Sequence, residues 1–111
     1  MKVITPGHLY ELESMEGAKP QQIQFIEKQK IEKHPTNAKL DYTFVTVNDG
    51  TTNEEVLLVL IDRLKTLGQK LPSRENALAI TKAEECLMWL ERRTANRLAQ
   101  GVENTPLPHK E

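Results

Sequence analysis

Three arginines close together, Arg92, Arg93 and Arg97, and one amide upstream, Asn76, are the side chains best suited to recognising a small polar anion. A guanidinium fork matches two phosphate oxygens at once, and a carboxamide pairs with the edge of a base. Ser73 adds a hydroxyl at a helix start, where backbone N–H groups favour anions. Arg63, Arg74, Thr94 and Trp89 complete the candidate contacts. Together they suit a nucleotide. Each also has a plainer reading. Arg92, Arg93 and Arg97 would stabilise the negative end of a helix and pair with Glu85 or Glu91, Arg63 would pair with Asp62, and Trp89 would pack in a core or interface. Arg74 opposes the helix dipole where it stands, whereas Glu75 beside it is well placed.

No constellation points to catalysis. His8, His34 and His109 show no spacing typical of a metal site or an acid–base pair, and no glycine-rich phosphate loop is present. Asp62, Glu84 and Glu85 read as solvated faces of helices, and Cys86 as an inert, buried thiol among small apolar residues. The expectation is a binder that is not an enzyme and uses no cofactor or metal. The charges nearly cancel, 15 basic against 16 acidic residues, so no broad positive field exists to hold a DNA or RNA polymer. A single cysteine, no signal-peptide pattern and no long apolar run lead us to expect a soluble protein of the cytoplasm, with no membrane partner.

Two helices must position these groups. Asn48-Asp49-Gly50 is a turn signal, and Thr51-Thr52-Asn53-Glu54-Glu55 supplies a cap followed by acids. Leu57, Leu60, Ile61, Leu64 and Leu67 then recur at helical spacing, and Gly68 is placed to end the helix in a left-handed conformation after about four turns. Ser73 caps a second helix with apolar or small residues at Ala77, Ile80, Leu87, Leu90 and Thr94, ending at Gly101. That helix is on the order of 40 Å long, more than the first can cover. The small-residue stripe Ala79, Ala83, Cys86, Leu90 offers a seam for a second copy, and a two-fold dimer follows, although the stripe could instead pack on the chain's own sheet. Asn76, Arg93 and Arg97 extend the seam, but Asn76 and Arg93 stand about 25 Å apart on one helix. Only an antiparallel pair of copies brings the amide of one beside the arginines of the other.

The first half reads as strands. Alternation over 8–13, 22–27 and 42–47 predicts a small antiparallel sheet of about three strands, broken at Gly17 and Pro20 and at His34-Pro35-Thr36-Asn37. Residues 27–33 fit a strand no better than a helical turn or a loop. The class is therefore α+β: a small N-terminal antiparallel sheet (1–49), then a C-terminal helical hairpin (50–101) in the same compact domain, oligomeric, with a flexible tail (102–111).

At Asp49–Leu57, Leu60–Leu64, Ser73–Lys82 and Leu87–Arg97, with His8–Leu12 and Gln24–Lys28, the chain resembles the phage Thoeris anti-defence proteins of the first type. These share a helical hairpin with the phage anti-CBASS cyclic-nucleotide sponges, and the similarity covers most of the chain. The resemblance implies sequestration without cleavage of a cyclic ADP-ribose signal, glycocyclic ADP-ribose, in the cytoplasm of the infected bacterial host. It also implies a homodimer or an assembly of dimers, with room for cyclic di- or trinucleotides at separate sites. Asn76 would read the adenine region while Arg93 and Arg97 of the other protomer hold the phosphates. Thr66 stands where that pattern has an aromatic residue stacking on the base, a role that Trp89 or Tyr10 would have to fill. The competing reading is a protein–protein adaptor built on the hairpin, and a signal-hydrolysing enzyme ranks behind it.

Overall fold

The computed structural model describes residues 1–32 and 42–99, Tyr42 by its backbone alone. The anticipated break at His34–Asn37, the stop at Gly101 and the tail 102–111 lie outside the described residues. The chain divides into two units, one over Met1–Thr52 and one that begins at Asn53.

The first unit is built from five strands: β1 (Lys2–Thr5), β2 (Leu9–Leu12), β3 (Gln21–Gln24), β4 (Glu27–Glu32) and β5 (Tyr42–Asn48). They form two antiparallel sheets, one ordered β1-β2-β3 and one of β4 with β5, where the sequence led us to expect a single sheet of about three strands. Gly7, at φ 79°, turns the chain between β1 and β2, and the His8 N–H donates to the Thr5 carbonyl at 2.9 Å. Tyr10 and Phe25 meet edge to face with centroids 6.0 Å apart. The segment that sequence left open is β4, whose run Glu27-Lys28-Gln29-Lys30 has no apolar alternation because most of it is exposed. Its order comes from pairing with β5, in which Lys30 faces Phe44 and Ile31 faces Thr43. Near the end of the unit Thr51 forms a parallel bridge with Phe25. The Thr51 N–H donates to the Gln24 carbonyl, and the Ile26 N–H to the Thr51 carbonyl, both at 2.9 Å. Gly50 is required there, because a Cβ would collide with the Gln24 carbonyl.

The second unit is the hairpin, α1 (Asn53–Lys70) and α2 (Arg74–Ala99). Glu54 and Glu55 in the first turn of α1 complement its dipole. Ile61, 7% exposed, is the buried apolar residue among the described ones. Half-buried Leu57 and Leu64 of α1, and Ile80, Ala83, Leu87 and Leu90 of α2, continue stripes at three- and four-residue spacing. Val59, Leu71, Leu78 and Trp89 remain exposed, at 65%, 81%, 49% and 57%.

The hairpin differs from expectation in three places. Helix α1 has 18 residues and runs through Gly68 to Lys70, so Gly68 is a helical residue and not a left-handed cap. Cys86 is exposed rather than buried, since it falls one residue off the half-buried stripe that contains Ala83, Leu87 and Leu90. For the same reason the small-residue stripe divides: Ala83 and Leu90 are half-buried, while Ala79 and Cys86 face solvent.

Candidate functional site

The turn between the helices builds one end of the site. Ser73 caps α2 as anticipated, its Oγ accepting a hydrogen bond from the Asn76 N–H at 3.0 Å. This fixes the first turn of α2 and aims residue 76 back at α1. The half-buried side chain of Asn76 then donates from Nδ2 to the Leu64 carbonyl at 3.0 Å, crossing from one helix to the other. A neutral hydrogen bond of this kind contributes about 1 kcal/mol net, and it also locks the amide in one orientation.

Beside it lies an open cavity of about 360 Å³ lined by Lys65, Gly68, Gln69, Ser73, Asn76 and Ile80, among others. A cavity of that size admits a base or a sugar-sized fragment. Its cation, Lys65, is engaged with Glu84 across the hairpin at 3.1 Å, both side chains about half exposed. Sequence reasoning missed Lys65, Gly68 and Gln69. The signal available was the three- and four-residue spacing of Ile61, Leu64 and Gly68, which places Gly68 on the face of α1 that meets α2.

The arginines occupy the other end of the same unbroken helix. Arg93 and Thr94 are exposed and Arg97 is half-buried. Arg92 lies over the Trp89 ring, 5.3 Å from its centroid, a cation–π contact in the open. Trp89 is therefore no core residue of this chain. Glu85, considered as a partner for the arginines, pairs with Lys82 at 3.6 Å. Arg63 and Arg74 are exposed and do not line the cavity, and neither does Thr66. One chain thus gathers Asn76, Ser73 and Lys65 at one end of α2 and Trp89, Arg92, Arg93, Thr94 and Arg97 towards the other. The 17 positions between Asn76 and Arg93 correspond to about 25 Å along the helix. Among the described residues no group of three or more His, Cys, Asp or Glu could hold a metal ion, and no helix is long and apolar enough to cross a membrane.

An α+β chain whose candidate recognition groups all sit on a two-helix hairpin is the class that the fold defines. The chain belongs to the Acb2/Tad1 hairpin-domain family, whose sequence model matches residues 31–95, more than half of its length. It is also similar to a protein named Thoeris anti-defense 1, from Bacillus phage SBSphiJ7, with 48% identity over 58 residues. The match takes in 51% of this chain and 41% of that protein, so the chain spans less than half of the relative's length.

Proposed function

We propose that this protein is a phage immune-evasion factor that binds a cyclic ADP-ribose signal, glycocyclic ADP-ribose, and sequesters it uncleaved in the cytoplasm of the infected bacterium. The observation that carries the reading is the 48% identity to a protein named for opposing Thoeris defence, in a chain that belongs to the Acb2/Tad1 hairpin family. Chemistry on the hairpin supports it. The cavity at Asn76 has the size for a nucleoside fragment and a largely apolar lining that suits the face of a base, and Arg93 and Arg97 suit the phosphates.

Because about 25 Å separates the two ends on one helix, a complete site takes Asn76 from one protomer and Arg93 and Arg97 from an antiparallel partner. A two-fold dimer then holds two identical pockets. Exposed Val59, Leu71, Leu78 and Trp89 supply apolar surface for such pairing. Cyclic di- or trinucleotides of the CBASS type are a further ligand class for an assembly of dimers.

The test is calorimetric titration of the full chain with the linkage isomers of glycocyclic ADP-ribose, then heat denaturation and chromatography of the released ligand. Binding of about one ligand per chain with intact recovery is the expected result, with light scattering giving a dimer or a multiple of one. No heat with any isomer would overturn the reading and favour the adaptor, and conversion of the ligand would identify an enzyme.

A further inference from the structure

We infer that Gly68 is a positioning residue for Asn76, holding its amide so that the oxygen is left for the ligand and Asn76 selects a hydrogen-bond donor on the base. The inference rests on the reading of Asn76 as a base contact. Gly68 stands two residues inside the end of α1, and its φ is not in the left-handed region. Glycine is the poorest helix former after proline, and here it stands in the last turn of α1 without the left-handed backbone that would make it a terminator, which points to a packing reason. The reason is across the hairpin. A Cβ built on residue 68 would lie 2.8 Å from Asn76 Nδ2, too close for the amide to stay where it is.

The partner of that amide settles which way round it sits. Nδ2 is 3.0 Å from the Leu64 carbonyl, and a carbonyl oxygen can only accept, so the group directed at it must be the NH₂ and not the oxygen. The Leu64 carbonyl has two lone pairs, one for its helical N–H partner and one for Asn76. With nitrogen turned to α1, Oδ1 is the end of the amide turned from it, beside a cavity that Asn76 and Gly68 both line. An acceptor so placed pairs with an amino group at C6 of a purine and is left without a donor when C6 carries only hydrogen. The site therefore favours adenine over the unsubstituted purine.

The experiment uses the full chain, glycocyclic ADP-ribose and its counterpart with the 6-amino group replaced by hydrogen, titrated into the wild type and into Gly68→Ala. The wild type should favour the amino form by roughly tenfold to a hundredfold, the discrimination expected of one well-placed base contact. Gly68→Ala should melt close to the wild-type temperature, because the gain from alanine as the better helix former offsets the hydrogen bond that the displaced amide loses. Its affinity for the amino form should nonetheless fall by about tenfold or more, and its preference shrink, since the displaced amide no longer presents Oδ1. A residue of merely structural importance would not lower affinity while stability holds. Equal binding of the two forms by the wild type, a comparison that needs no substitution, overturns the assigned polarity and leaves sequestration standing. Unchanged affinity in a folded Gly68→Ala overturns the positioning role. Failure of both forms to bind the wild type overturns this inference together with the function on which it rests.

Discussion

The two ends of α2 hold their polar side chains in different ways. At the Ser73 end the chain supplies everything within itself: a capping hydroxyl 3.0 Å from the Asn76 N–H, the Leu64 carbonyl for the amide, and a glycine that makes room. Towards the other end Arg93 and Thr94 are exposed, and Arg92 rests on an exposed tryptophan. The difference follows from length, since α2 has 26 residues against the 18 of α1, about 39 Å against 27 Å. A partner helix that ends early cannot order what lies past it. One end is preorganised by its own chain, whereas at the other Arg92 and Arg93 stand in solvent.

Removing Arg93 gives the largest expected effect and the clearest separation of the two ends. Arg93→Ala should weaken the nucleotide by about 2 to 5 kcal/mol, the scale for deleting one partner of a desolvated charge pair, while urea denaturation of the unliganded protein stays at the wild-type midpoint. A lowered midpoint with unaltered affinity would place Arg93 in the fold and remove it from the site. Ser73→Ala reports on the preorganised end and should reverse that pattern. Loss of an N-cap hydroxyl costs about 1 kcal/mol of stability, visible in the same urea titration, and the loosened first turn should carry Asn76 with it, so affinity falls as well. Stability lost at both positions alike would erase the contrast.

The hairpin and the Ser73 cap were legible in the sequence because they rest on local chemistry. Ser73 as a cap, Glu54 and Glu55 in the first turn of α1, and apolar residues at helical spacing specify helices whatever surrounds them. Which face turns inward was less legible. Ala79, Ala83, Cys86 and Leu90 form as regular a stripe as Ile80, Ala83, Leu87 and Leu90, and side-chain bulk decided for the second. Gly68 was misread because a glycine near the end of an apolar pattern is usually a terminator, whereas its role here depends on a residue eight positions later in another helix. β4 was invisible for a related reason, since its polar run acquires order only from β5. Of the candidate site, residue types could name Asn76 and the arginines but not the Leu64 carbonyl that orients the amide, because every residue carries one.

The smallest effect tests whether the Asn76 end is held by hydrogen bonding or by charge. Lys65 and Glu84 join the two helices beside the cavity at 3.1 Å, but both are about half exposed. Solvent screens such a pair, and side-chain entropy offsets much of its attraction, which leaves about 0.2 to 1 kcal/mol. Glu84→Gln removes the charge and keeps the shape. It should lower stability by no more than that amount in dilute buffer, and the deficit should vanish in about 1 M salt, where charges interact over only about 3 Å. A larger loss, or one that persists in salt, would mean that the ion pair sets the spacing of the helices at Asn76. Orientation of the amide by Leu64 and Gly68 would then be a consequence of that spacing, and the preorganised end would depend on ionic conditions. A loss confined to low salt leaves the cap, the carbonyl and the glycine as the groups that hold the amide in place.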